Sequence, residues 1–316
     1  MTGTILGVNT RTPAVIVVNY DSADLIRRNL AVLVDEFPDL VTVVVDNYST
    51  AAAVEQIECL ADSHGWTLVK SPINVGFGGG MNLGIAAAAE LGSDTFLMLN
   101  PDACLGPESF VILVEALSSD PMSLISPVIT RRNGSIWFEG GALDLDRGRT
   151  ISRPVDPSSE LELPWLSGAC LMTGAEAWGV LGGFDEDYFL YWEDVDLSVR
   201  AQRRGIRLAV VPEASAVHDE GGTQEQNSNA DFSWDYYYYN IRNRLLFASK
   251  LLDSQHRKRW IRTALRESYR ILLRGGGKRK FLRPLAPLVC GARGLKDGLA
   301  SRGGPRDQLS DETTSS

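Results

Sequence analysis

Continuous apolar runs return at regular intervals through the first hundred residues. Ala14–Asn19 (AVIVVN) and Val41–Val45 are β-branched stretches with no polar alternation, and Thr67–Lys70 and Thr95–Leu99 repeat the pattern. Unbroken apolar strands of this length belong in a sheet covered on both faces. Between them the period changes to 3.6. Leu25, Ile26, Leu30 and Leu33 share one face of a helix that Asp21 or Ser22 can cap and that runs to about Glu36. Ala51 to about Ser63 and Ile85–Leu91 have the same helical character. Strands alternating with helices at this spacing predict an α/β fold with a mostly parallel central sheet and helices on both faces. Right-handed crossovers would gather the loops that follow each strand along one edge.

After about residue 120 the rhythm shortens. Leu124–Thr130, Ser135–Phe138, Leu166–Thr173 and Leu208–Val211 read as strands, with Asn133-Gly134 as a hairpin turn. Ala175–Leu181, Trp192 to Arg204 and Trp234–Leu252 read as helices, the second stopping at Gly205. A nucleotide-type half over about 13–120 and a second half over about 121–255 follow. A basic helical region is then expected over 256–303 and a disordered tail over 304–316.

Composition changes this picture little. With 44% hydrophobic and 22% charged residues the chain reads as an ordinary globular protein. Its four cysteines (Cys59, Cys104, Cys170, Cys290) form no CxxC pair, which argues against a zinc knuckle or a disulfide framework and fits a reducing compartment. Residues 1–13 lack a basic start and an apolar run, and no uncharged apolar run reaches about 18 residues, so neither a secretory leader nor a spanning helix is expected. Charge changes it more. The net charge is −9, yet 256–303 holds 14 Lys or Arg against Glu267 and Asp297. That asymmetry points to a surface meeting a phosphate-rich partner.

The candidate chemistry lies where the apolar runs end. Thr95–Leu99 stops on Asn100-Pro101-Asp102, because Pro101 cannot donate to a ladder, and in open α/β sheets the carboxyl ends of strands form the ligand edge. Asp102 there suits a hard divalent cation carrying phosphates, or simply a strand-to-helix turn. Asp46, with Asn47 and Ser49 beside it, can accept from a nucleobase N–H or cap a helix. The run Asn74 to Asn82 (NVGFGGGMN) fails the GxGxxG spacing whether started at Gly76 or Gly78. Its glycines would let backbone approach a ligand or serve packing alone. Glu193-Asp194-Val195-Asp196 crowds three acids at a helix start, where a carboxylate of raised pKa is a natural general base. One of these acids reaching a substrate while another bonds the scaffold is the economical assignment. His218 follows a strand and can be a core histidine or, with Asp102, part of a site for Mg²⁺ or Mn²⁺.

In order, Val15–Tyr20, Val43–Ser49, Asn74–Asn82, Leu99–Asp102, Gly182–Asp185 and Trp192–Leu197 resemble the motifs of family 2 inverting glycosyltransferases, and most nearly a bacterial rhamnosyltransferase branch. The likeness spans roughly residues 13–250. It implies a GT-A fold, in which a nucleotide-sugar half merges with an acceptor half in one continuous sheet. Position by position, it implies that Asp46 reads a pyrimidine and that Asn19, Asn47, Ser49, Asn74, Gly76, Phe77, Gly78, Gly79 and Asn82 line the nucleotide and its phosphates. Asn100 and Asp102 take the place of a DxD motif, with Asp102 and His218 on the metal. Asp194, beside Glu193, is implied as the base, and Arg242 as a diphosphate contact. The expected donor is a dTDP- or UDP-sugar, with dTDP-rhamnose first, and the acceptor a glycan, glycolipid or secondary metabolite. Nucleic acid is not an expected partner. A cytoplasmic location on the inner face of an anionic membrane fits the basic region, where Ile261, Ala264, Leu265, Ser268, Ile271 and Leu272 recur at helical spacing.

Two other classes compete. A sugar nucleotidyltransferase would need a glycine-rich basic loop after the first strand, where Asn19-Tyr20-Asp21 stands. A non-catalytic lipid- or nucleic-acid-binding protein leaves Asn100-Pro101-Asp102 and Glu193-Asp194 unexplained.

Overall fold

The computed structural model describes residues 12–218, 233–274 and 286–306. The amino-terminal half runs β1 (Pro13–Asn19), α1 (Ala23–Val34), β2 (Val41–Asp46), α2 (Ala51–His64), β3 (Thr67–Lys70), α3 (Gly76–Glu90) and β4 (Thr95–Leu99). Then follow β5 (Ala103–Leu105), α4 (Pro107–Ser119), β6 (Ser123–Thr130), β7 (Ile136–Phe138), β8 (Gly141–Asp144), β9 (Arg149–Ile151), β10 (Glu162–Trp165) and β11 (Cys170–Gly174). The chain continues through α5 (Ala175–Leu181), a 3₁₀ turn at Glu186–Tyr188, α6 (Glu193–Arg203) and β12 (Arg207–His218). Helices α7 (Trp234–Leu251), α8 (Ser254–Arg262), α9 (Ala264–Leu272) and α10 (Ala286–Leu299) complete it.

Among the described residues nine strands form one sheet in the order β3-β2-β1-β4-β11-β6-β12-β5, with β7 pairing on β6. Strands β3, β2, β1 and β4 are mutually parallel; β11 runs against both β4 and β6, and β12 parallels β6. Six of the nine strands therefore point one way, as expected, although β11 interrupts the parallel ladder at its centre. The core is the apolar runs themselves: Val15, Ile16, Val44, Val45, Leu97 and Met98 are fully buried. A small antiparallel sheet, β10-β8-β9, stands apart from the large one.

Three expectations shift. The strand expected over Leu166–Thr173 begins only at Cys170, as β11; residues 166–169 are the connection from β10, because that stretch turns to serve the site described below. The helix expected after His256 is two short ones meeting at Thr263, and Ile261 and Leu265 face solvent while Ala264 and Ser268 are buried. Of the tail expected to be disordered from 304, residues 304–306 pack on the body: Gly304 N–H donates to Asp187 O at 2.8 Å and Arg306 N–H to the Tyr239 hydroxyl at 2.8 Å. The rest of that tail, from 307, lies outside the described residues.

The glycine-rich stretch expected as a loop is the start of α3. Its glycines are the means by which a helix lies directly on the sheet: a Cβ at Gly80 would sit 2.9 Å from Val18, and one at Gly84 would press on Ile16 and lie 2.9 Å from Val45. Replacing Gly84 by Ala gains up to about 1 kcal/mol in helix propensity. Overpacking against two rigid β-branched chains costs typically about 1–3 kcal/mol, so the balance is unfavourable. Gly84→Ala is expected to lower the urea midpoint, and an unchanged or higher midpoint would show that α3 can lift off the sheet at no cost.

Candidate active site

The ends of β1, β2, β4 and β12 and the starts of α3 and α6 carry the candidate side chains. At the end of β2, Asp46 is buried, accepting from the Asn19 amide at 2.9 Å and from Ser49 N–H at 3.3 Å. Asn19 is held in turn by the Ser22 N–H and hydroxyl at 3.0 and 3.1 Å, so β1 and β2 present one fixed polar unit. Asn47, expected to line the nucleotide, has its side chain engaged by protein. Its amide donates to Asn74 Oδ1 at 3.1 Å and Gly76 O at 3.0 Å, and its Oδ1 accepts from Val75 N–H at 2.9 Å, bracing the entry to α3. Ser49 Oγ accepts from Asn19 and from Asp21 N–H. Asn82 holds Phe184 at both its N–H and its carbonyl, at 2.9 and 3.0 Å. Phe77 lies edge-on to Phe184, and a Cβ at Gly78 or Gly79 would meet Phe184 or Val75, so these positions are filled by protein.

At the end of β4, Asn100 N–H donates to Ala169 O at 3.0 Å, and Asn29 fixes the turn by donating to Pro101 O at 2.7 Å. Asp102 is buried with its Oδ1 3.2 Å from Nε2 of His218, the last residue of β12. The His218 ring stacks on Trp137 at 4.5 Å and 19°. One residue before Ala169, Gly168 N–H donates to Asp194 Oδ2 at 3.0 Å, and Val195 N–H donates to Oδ1 at 2.8 Å. The connection from β10 to β11 thus ties Asn100 on one side to Asp194 on the other.

The three acids of α6 part company. Asp196 is the scaffold acid, accepting from the Tyr188 hydroxyl at 3.1 Å and from Arg200 at 2.5 Å. Glu193 is buried, and burial together with the neighbouring Asp194 charge pushes its carboxyl up to about 8. Burial also raises Asp194, to about 6, against the pull of its two N–H donors. Asp194 keeps part of its surface open, so the stronger push falls on Glu193. Burial raises both carboxyls, and the Gly168 and Val195 N–H donors favour the charge on Asp194 over Glu193, whose Oε2 has no partner among the described residues. Glu193 Oε2, Asn100 Oδ1 and His218 Nδ1 are buried without a hydrogen-bond partner among the described residues. Such atoms cost about 1–3 kcal/mol each and mark where a polar ligand would bind. Within the same residues no three His, Cys, Asp or Glu are grouped to hold a metal. Asp102 and His218 alone suit a hard cation that takes its remaining ligands from phosphate and water.

Arg242 lies on α7, outside these elements. It is fully buried, donating to Asp187 O at 2.8 Å, Tyr188 O at 2.7 Å and Gly304 O, and its guanidinium lies 4.8 Å from the Tyr239 ring centre. Its donors are spent on backbone carbonyls, which corrects the expected diphosphate contact. Asn243 beside it donates to Tyr188 O, Leu190 O and Tyr191 O at 2.9, 2.8 and 2.7 Å. The clamped segment is strained: Phe189, Tyr191 and Trp192 have φ of 62, 66 and 75°, and it delivers the chain into Glu193-Asp194. Asn243, Asn29 and Trp137 carry no sign of these contacts in the local sequence pattern.

Two outcomes are expected. Asn243→Ala leaves buried carbonyls without donors and should cost about 2–4 kcal/mol in denaturant unfolding; a loss within about 0.5 kcal/mol would mean that the clamp is redundant. Glu193, with a folded-state pKa raised from 4.5 to about 8, contributes stability that is present below about pH 4.5 and lost as pH rises through about 8. Glu193→Gln should therefore gain on the parent protein as thermal unfolding is taken from pH 5 to pH 8, with no further gain above. A pH-independent difference would mean that Glu193 is not held neutral.

The sequence profile described as Glycosyl transferase family 2 matches residues 14–172, and one described as Glycosyl transferase family group 2 matches 95–292. An N-acetylglucosaminyl-diphospho-decaprenol L-rhamnosyltransferase of Mycobacterium tuberculosis is 32% identical over 177 residues, 48% of this chain and 58% of its own length. The low-salt glycan biosynthesis hexosyltransferase Agl10 of Haloferax volcanii is 29% identical over 246 residues, 76% of each chain. The chain thus spans little more than half of the mycobacterial relative and three quarters of the archaeal one. Among solved structures, GalNAc-T7 with UDP, GalNAc and Mn²⁺ superposes with a TM-score of 0.56 at 17% identity, covering 80% of this chain and 54% of that one. The mannosyltransferase PcManGT of Pyrobaculum calidifontis, with GDP-Man and Mn²⁺, gives 0.54 at 18% identity over 92% and 74%. These likenesses establish the GT-A type of fold. With family profiles matched over residues 14–172 and 95–292, half of its length or more in each case, the chain belongs to glycosyl transferase family 2.

Proposed function

We propose that this protein is an inverting glycosyltransferase that moves a sugar, rhamnose from dTDP-rhamnose in the first instance, from a nucleotide-sugar to an acceptor hydroxyl. The observation that carries the reading is Asp194: a carboxylate of raised pKa, aimed by two backbone N–H groups and linked through Gly168-Ala169 to the strand end bearing Asn100 and Asp102. The rhamnosyl- and hexosyltransferase names of its relatives, and the nucleotide or nucleotide-sugar in the titles of its structural neighbours, support the donor class.

In this mechanism Asp46, backed by Asn19, accepts from the ring N–H of a pyrimidine. The donor's diphosphate lies toward Asp102. A divalent cation, Mn²⁺ or Mg²⁺, would be held by Asp102 and His218 and would supply charge compensation for the leaving diphosphate. Asp194 takes the proton from the acceptor hydroxyl as that oxygen attacks the anomeric carbon from the side away from the diphosphate. The new carbon–oxygen bond forms as the bond to the diphosphate breaks, and the nucleoside diphosphate departs with the electron pair. Glu193 stays protonated, which keeps the single charge of the pair on Asp194, and Asp196 orients α6 through Tyr188 and Arg200. A lipid-linked glycan is the acceptor class that best matches the mycobacterial relative's name.

General base catalysis contributes about 10²–10⁴-fold. Asp194→Asn should lose that much in kcat while calorimetric binding of the nucleotide-sugar with Mn²⁺ survives; turnover within threefold of the parent would remove Asp194 from the role. Since the base must be deprotonated, kcat should fall as pH drops through about 6. An acid limb near 4 would mean that burial does not act on the working carboxylate. His218→Ala should weaken Mn²⁺-dependent donor binding and leave metal-free binding unchanged; equal loss with and without metal would exclude His218 as a ligand.

A further inference from the structure

The carboxyl-terminal helices fold with one face inward. On α8 and α9, Trp260, Ala264, Glu267 and Ser268 are buried, Trp260 donating to Leu145 O at 2.6 Å and Glu267 receiving Arg149 at 2.6 and 2.9 Å. These contacts fix which side looks out. That side carries Ile261 near the end of α8 and Leu265 and Tyr269 on α9, exposed by 42, 75 and 47%; Leu265 and Tyr269 stand one turn apart, and Ile261 precedes them across the junction at Thr263. Lys258 and Arg262 on α8 and Arg266 and Arg270 on α9 are also exposed; Arg262, Arg266 and Arg270 each directly follow one of these apolar residues in sequence. Lys258 and Arg262 make no ion pair among those seen in the described residues, while Arg266 and Arg270 share Glu267 at 3.1 and 3.8 Å. Across 254–274 seven Lys or Arg face one acid, in a chain whose net charge is −9.

An ordinary solvated helix face would not set its three largest exposed apolar side chains among cations. Nucleic acid would use the cations and leave Leu265 idle. The charge pattern and the exposed apolar side chains together match a bilayer interface with anionic headgroups, where apolar chains enter the acyl boundary and cations meet phosphates.

We propose that the outward face of α8–α9 seats the protein on an anionic lipid surface, with Ile261, Leu265 and Tyr269 inserted and Lys258, Arg262, Arg266 and Arg270 on the headgroups. The face extends the transferase reading by giving a lipid-linked acceptor a place of encounter, and it rests on that reading only for the acceptor. No helix among the described residues is long and apolar enough to cross a membrane.

The test is flotation of the full chain with vesicles of phosphatidylcholine alone or with a third phosphatidylglycerol, no nucleotide-sugar being present. A failure here is thereby kept apart from a failure of catalysis. Expected are binding to the anionic vesicles only and release as salt rises. Arg262→Ser with Arg266→Ser should lower partitioning about 30-fold, at roughly 1 kcal/mol per cation. Leu265→Asp should lower it by at least about tenfold, with an unchanged melting temperature for both variants. Equal binding to uncharged vesicles, or an unaffected Leu265→Asp, would overturn the proposal. So would displacement from vesicles by a DNA duplex, or a self-association of the parent chain that Leu265→Asp abolishes.

Discussion

The candidate site depends on holding a short backbone segment where it would not rest by itself. Phe189, Tyr191 and Trp192 sit in left-handed conformations, each costing about 1–3 kcal/mol. Arg242 and Asn243 hold that segment from α7, covering the carbonyls of residues 187, 188, 190 and 191. From the other side Phe77 N–H donates to Phe189 O at 2.9 Å, across a gap so tight that a Cβ at Gly76 would collide with that oxygen. The segment ends at Trp192, and the next two residues are Glu193 and Asp194. Charge buried in the middle of a helix is costly, and here it substitutes for the regular hydrogen bonds that the distorted segment cannot make.

The same clamp ties distant elements together: the 187–192 segment bonds to the start of α3 on one side and to α7 on the other, and it leads into α6. Arg244, next along α7, reaches Gly148 O and Trp260 O at 2.8 and 3.1 Å, so one run of three residues on α7 fixes the turn into Glu193-Asp194, the small sheet and the start of the outward-facing helices. Carboxylate placement and surface orientation therefore share one support.

At the candidate site, polar groups fall into two kinds. Asn19, Asn29, Asn47 and Asn82 have their amides occupied by protein, and they make the loops rigid. Asn100, His218 and Glu193 retain buried atoms without partners in a desolvated setting that raises both carboxyls of the Glu193–Asp194 pair. Preorganised donors around a few unsatisfied atoms are what a site built to take a charged ligand requires.

Apolar run length and period determined the order of strands and helices almost to the residue through Leu99, because each of those elements is stabilised by burying its own local pattern. The ends of the strands, Asp46 and Asp102, were legible for the same reason: a polar residue closing a buried run has few places to go. The helical start at Gly76 was not, since glycine's poor helix propensity is overridden by a contact with Val18 and Ile16 that is invisible along the chain. Nor was the division of labour in Glu193-Asp194-Val195-Asp196. Three neighbouring acids look alike in sequence, and only the packing of Tyr188, Arg200 and Gly168 around them makes one a scaffold acid, one a held proton and one a base candidate. Arg242 shows the limit most plainly: in sequence a cation near phosphate chemistry, in the fold a brace, because which side of a helix faces inward is settled by what other parts of the chain bring to it.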